Sequence, residues 1–199
     1  NFLLAMMRLD VPWTYVLGNH DFAYERYRAG KEEKPKPIMP IHYSGRTVKG
    51  IRFIFLSTEV GDHFPEKEGR QNRDLVMSEE QEAWFWEELE THKDKPVILF
   101  THQPHPEFGI WTELKAKLDD YNIVAWFSGH KHKWVINEDT DYGFARITVH
   151  ALREKNVSTF LRLRQDGDKT EGRVKFRNHQ TQEWISVDGK DILSFSVDL

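Results

Sequence analysis

The sequence has no cysteine, which excludes disulfides, thiolate metal sites and a cysteine nucleophile, and leaves the redox compartment unmarked. Long hydrophobic runs are missing too. Stretches such as residues 51–56, with Arg52 inside, fall far short of the ~20 residues of a membrane-crossing helix. Nor does one sign of charge dominate: 28 Lys and Arg stand against 32 Asp and Glu, a formal net charge of −4. No broad field therefore draws the chain onto DNA or an anionic membrane. There is no internal repeat and no low-complexity tract. The first residue is Asn1 rather than Met, within a helical pattern (Phe2, Leu3, Met6, Met7), so an upstream leader or anchor stays open.

What is present is apolar mass. Hydrophobic residues make up 39% of the chain and aromatic ones 13%, with 7 Trp and 13 Phe, enough to bury a core and to exclude disorder of the whole chain. A length of 199 residues suits a single domain spanning 1–199.

Hydrophobic patterning divides the chain in two. Residues 13–17 form a β-prone run that stops at Gly18 and Asn19, and residues 41–48 and 51–57 read as a hairpin turning at Lys49 and Gly50. Residues 22–40 and 59–76 read as surface excursions, the second a long loop. Ser78 and Gln81 form a capping box, with Ala83, Phe85, Trp86 and Leu89 as the buried stripe of a helix to about Thr91. Residues 96–101 and 123–127 are continuous apolar runs, as in strands buried on both faces, and Trp111, Leu114 and Leu118 predict a helix between them. Beyond residue 133 six short strands are expected, at 133–137, 144–150, 157–164, 173–177, 183–187 and 192–197, with Gly turns between several of them. The first part follows α/β grammar; the tail reads as antiparallel strands, and residues 151–199 are expected to complete a second sheet.

Three of the apolar runs end at histidine: His20 after the first, His102 after the second, His130 and His132 after the third. Strand ends gather ligands, and neutral imidazole, like the amide oxygen of Asn19, offers a lone pair to a borderline divalent ion. On a strand His130 and His132 would share a face; on a turn they splay toward two neighbouring ions. His42, His63, His92, His150 and His179 carry no such coincidence and read as surface or hydrogen-bonded residues, while His105 lies close enough to His102 to line the same site.

Gly18-Asn19-His20-Asp21, then Thr101-His102-Gln103-Pro104, then Gly129-His130-Lys131-His132 resemble, in order and spacing, the last three signature blocks of the calcineurin-like metallophosphoesterases. The resemblance covers about residues 1–135. It implies a two-sheet β-sandwich of α/β class flanked by helices. It implies hydrolysis of a small phosphomonoester or phosphodiester by a metal-activated hydroxide at a dinuclear site of Mn, Fe or Zn. Asn19, His102 and His130 would bind one metal and His132 the other. His20 would face the substrate phosphate, and Asp21 would orient its imidazole. Leu17 stands where protein Ser/Thr phosphatases carry Arg, whereas residues 55–59 and 80–85 resemble the purple-acid-phosphatase and cyclic-nucleotide-phosphodiesterase branch.

The chain departs from that family pattern at its start. The family begins with Asp-x-His and Gly-Asp blocks, and Asp-x-His occurs nowhere in these 199 residues. Gly61-Asp62 lies after Asn19, not before it. The sequence therefore looks like the C-terminal part of a larger phosphoesterase, and a dinuclear site is expected to need ligands from another segment. Two other readings follow: a catalytically incompetent metal-binding or scaffold domain of the same fold, and a DNA exonuclease relative. The second needs clustered cations beside the site, but Lys31 to Lys34 and Lys93 to Lys95 mix signs, so nucleic acid is not the expected partner.

Overall fold

The computed structural model describes residues 6–8, 10–21, 40, 42–58, 77–103, 116–137, 143–151, 156–186 and 193–198. The expected loop at 59–76, Trp111, Leu114, His63 and His105 lie outside them.

The hairpin forms as its sequence dictates. β1 (Ser44–Val48) pairs antiparallel with β2 (Ile51–Phe55), and Lys49 and Gly50 both take positive φ, 50° and 80°, the geometry that matches the twist of two adjoining strands. β2, β3 (Val97–Phe100), β4 (Ile123–Ser128) and β6 (Ala145–Thr148) then run parallel, and β5 (Val135–Asn137) closes the far edge antiparallel to β6. The order of this six-stranded sheet is β1-β2-β3-β4-β6-β5. β6 was expected in an antiparallel tail. It joins β4 in parallel because β5 turns back first, and its short apolar run fills the next place on a buried sheet.

The second sheet is antiparallel throughout. β7 (Val157–Asp166) and β8 (Lys169–Asn178) pair over their whole length about a turn with Gly167 at φ 59°, and β9 (Glu183–Ile185) and β10 (Leu193–Asp198) both pair with β8 along its other edge. Its inner face carries Val157, Val174 and Phe176 into the same cluster as Ile51, Phe53, Ile98, Ala125, Phe127 and Ile147 of the first sheet. The two sheets are thus a sandwich around one core. On its other face the first sheet buries Ile54, Leu56, Val97, Leu99, Ile123 and Trp126 under Phe85 and Leu89 of α1 (Glu79–Thr91) and under Leu118. The double-faced apolar runs of β3 and β4 serve both clusters, as their sequence implies.

Two local expectations change. Residues 13–17 run without sheet pairing among the described residues, although Leu17 is fully buried. β-propensity becomes a strand only where a ladder partner is offered, and here β1 already occupies the free edge of β2. The α1 stripe is Gln81, Phe85 and Leu89, with Ala83 exposed. Ser78 does cap α1 by accepting the Gln81 amide (3.2 Å), but the Gln81 side chain turns inward instead of closing the box. Its Oε1 accepts from the Ser57 N–H (2.9 Å) and its Nε2 donates to the Ser57 carbonyl (3.0 Å).

Candidate metal centre at the strand ends

Because β3, β4 and β6 are parallel and adjacent, their carboxyl ends open on one rim. Thr101 N–H donates to the Phe127 carbonyl (3.0 Å) and Val149 N–H to the Ser128 carbonyl (2.7 Å), so the chain leaves each strand at the same level. His102, His130 and His150 follow immediately.

His102 stands where the motifs meet. The Thr101 hydroxyl accepts from Trp126 Nε1 (2.8 Å) and donates to the Gln103 carbonyl (2.6 Å), pinning the backbone on either side of the ring. The His102 carbonyl accepts the Gly129 N–H at 2.8 Å. Its Nε2 lies 3.3 Å from His130 Nδ1, the rings meeting edge to face at 79° with centroids 5.2 Å apart. On the remaining side is Gly18, where a Cβ would fall 2.7 Å from the ring's Cε1 and Nδ1. Glycine is required there by close approach. Blocks separated by more than eighty residues in sequence therefore touch around one imidazole.

The third block adopts a turn rather than a strand. His130 and His132 both hold left-handed φ, 63° and 51°, and Lys131 N–H donates to the Gly129 carbonyl at 2.7 Å. Histidine enters this region more readily than most residues, yet two in three positions is backbone strain of the kind that gathers at functional sites. Both side chains are half-buried. In the first block, Asn19–Asp21 is a single 3₁₀ turn, tied by the Asp21 N–H to the Gly18 carbonyl (2.9 Å) and by Asp21 Oδ2 accepting the Gly18 N–H (2.8 Å). His20 is exposed at its centre, and the Asn19 side chain lies outside what is described.

Electrostatics single out His102. Burial, and then the charges that His130, His20 and His132 would carry, lower its pKa from the usual 6.5 to about 4. Near neutral pH it is an uncharged imidazole with a lone pair, the form a cation takes. Two ring nitrogens on one ion, with bonds of about 2.0–2.1 Å and ordinary coordination angles, sit about 2.9–3.4 Å apart. The 3.3 Å between His102 and His130 fits a shared ion. Among the described residues no group of three or more His, Cys, Asp or Glu is arranged to hold a metal.

His150 is the residue that the sequence pattern passed over. It leaves β6 two positions after Thr148, as His130 leaves β4 two positions after Ser128, and those two strands are in register at Ser128 and Thr148. Its ring lies 5.0 Å from Trp134, and its Nδ1 faces the Ala151 carbonyl at 3.2 Å. The strand before it ends, like the others, in histidine; only its assignment to the antiparallel tail hid the likeness.

Comparison with curated proteins gives no significant match. Among solved structures, a Vps29 double mutant from Entamoeba histolytica aligns over 79% of this chain and 60% of its own, at 11% identity and a TM-score of 0.26. The sequence model for the calcineurin-like phosphoesterases matches residues 1–134, from the opening segment through the strand-end histidines to β5. With two thirds of its length under that match and the three blocks closed around His102, the chain belongs to the calcineurin-like phosphoesterase family.

Proposed function

We propose that this chain carries the strand-end part of a metal-dependent phosphoesterase site that hydrolyses phosphomonoesters or phosphodiesters. The observation behind this reading is the neutral His102 ring, held by Gly18 on one side and 3.3 Å from His130 on the other. His102 and His130 would hold one ion with Asn19, and His132 would reach a second. When bound, two such ions neutralise the phosphate and lower the pKa of an attacking water.

The protein's own side chains do the rest. His20, exposed on the 3₁₀ turn, donates a proton to the leaving oxygen, a contribution of about 10²–10⁴-fold. Asp21 fixes that turn through the Gly18 amide and so sets where His20 stands. A scaffold or metal-binding role without turnover is the competing reading, because among the described residues no three His, Cys, Asp or Glu are grouped to hold a metal.

Hydrolysis of p-nitrophenyl phosphate and of bis(p-nitrophenyl) phosphate with added Mn²⁺, Fe²⁺ or Zn²⁺ tests the choice, with metal content measured in parallel. The phosphoesterase reading expects turnover of at least one ester, reduced about 10²–10⁴-fold in His20→Ala at unchanged metal content. Metal uptake without turnover of either ester establishes the scaffold instead.

A further inference from the structure

The second sheet has a face that the phosphoesterase reading does not use. Strand alternation sends Val157, Thr170, Val174 and Phe176 inward, where all are buried. Outward it sends Phe160, Arg162 and Arg164 on β7, Arg173, Lys175 and Arg177 on β8, and Trp184 on β9. Six cations thus share one face, Lys169 of β8 included, and the carboxylates among them are Glu171, opposite Arg164 and 3.3 Å from Arg173, and Asp166, opposite Lys169 at the end of the ladder. The near-neutral charge of the whole chain averages this asymmetry away.

Two features of the face work against the fold. Arg162 lies directly opposite Arg173, a like-charge cross-strand pair that destabilises a sheet. Phe160 and Trp184 stay 43% and 50% exposed, edge to face with centroids 5.5 Å apart. Lys175 Nζ and Arg177 Cζ stand 4.9 and 5.3 Å from the Trp184 centroid, so open rings and cations interleave in one surface. Among the described residues Arg162 and Arg164 make no ion pair.

We propose that this outer face of β7, β8 and β9 docks single-stranded nucleic acid. Phosphates find a row of guanidinium and ammonium groups, and unpaired bases find rings on which to stack, a combination that recognises a single strand and is of little use to a duplex, whose bases are already stacked. The charge complementarity is local to this sheet and independent of the metal centre. An acidic peptide would meet the cations but would leave the rings without a planar partner.

Fluorescence anisotropy with labelled oligothymidylate of about 20 nucleotides, in EDTA and at low salt, tests the proposal with hydrolysis silenced. Binding is expected, weakening linearly with log salt. The Arg162→Ser/Arg164→Ser variant should lower the magnitude of that slope by about 1.4, at about 0.7 per lost phosphate contact. Trp184→Ala should weaken binding about fivefold or more with the slope unchanged, the loss of one stacked base. Lys175→Glu serves if Trp184→Ala fails to fold, and should also weaken binding. Absence of binding at low salt, equal binding by all variants, or equal affinity for polyglutamate or for the matching duplex would each overturn it. Because no turnover is read, failure here leaves the phosphoesterase reading untouched, and the reverse holds as well.

Discussion

At the scale of single residues, this site depends as much on what glycine lacks as on what histidine supplies. Gly18 contributes no ligand atom, yet the missing Cβ is what lets the His102 ring stand against the first block. A methyl group 2.7 Å from Cε1 and Nδ1 cannot be accommodated while His102 keeps its 3.3 Å approach to His130. One of the two must yield, and the half-buried ring is freer than the backbone. Gly18→Ala is therefore expected to weaken Mn²⁺ binding about 10- to 100-fold, the scale for disturbing a group that orients a ligand. Isothermal titration with Mn²⁺, alongside a thermal midpoint, measures it. Unchanged affinity in a folded variant would mean that His102 does not need that position. The positions of His102 and His130 were legible in the sequence because the apolar runs before them are strands, β3 and β4, whereas the run before His20 is not. Gly18 was legible only as a turn former, since the contact that requires it joins segments distant along the chain.

Among elements, the junction of β2 and α1 shows one residue serving two ends. Past Phe55 the β2 strand loses its ladder on one side, leaving the Ser57 N–H and carbonyl in a fully buried place. The Gln81 amide supplies both partners, much as another strand would, and is itself buried. Arg52 makes the second tie between these elements, its guanidinium paired with Glu88, which explains a charge inside an apolar run. Gln81→Leu keeps the volume and removes both hydrogen bonds. Each orphaned buried group costs about 1–3 kcal/mol, so the variant is expected to lose about 2–6 kcal/mol, read as a shift in denaturant midpoint. A loss under about 0.5 kcal/mol would show that water replaces the clamp. Sequence patterning found the helix, its cap residue and both strands here, since periodicity and turn chemistry are local. It misread Gln81 because a capping box and a buried amide look alike until the strand beside the helix is known. For the same reason it made residues 13–17 a strand: propensity carries no information about which edges are already taken.

For the molecule as a whole, the parallel strands at the centre of the first sheet fix where chemistry can occur and the antiparallel second sheet fixes how firmly that rim is held. The strand ends bearing His102, His130 and His150 lie on a sheet whose inner side chains are shared with β7 and β8 in one cluster. The Thr170 hydroxyl adds a tie between the layers, donating to the Lys49 carbonyl in the β1–β2 turn at 3.3 Å. The tail that carries none of the family's motifs is thus a structural half of the site's platform. Sequence alone reached the sandwich through the family resemblance. It could not assign β6 to the first sheet, because four-residue strands leave parallel and antiparallel pairing indistinguishable until their neighbours are placed. Phe176 tests the coupling most directly: it is fully buried on β8, packs against Trp134 with centroids 5.7 Å apart, and belongs to the inter-sheet cluster. Phe176→Ala is expected to cost about 3–5 kcal/mol. If the two sheets open as one unit, hydrogen exchange should speed up in β3 and β4 as well as in β7 and β8, because amides of a shared core exchange through the same opening. Faster exchange confined to β7–β9 would instead make the second sheet a separately opening layer, and would leave the histidine rim to the first sheet and α1 alone.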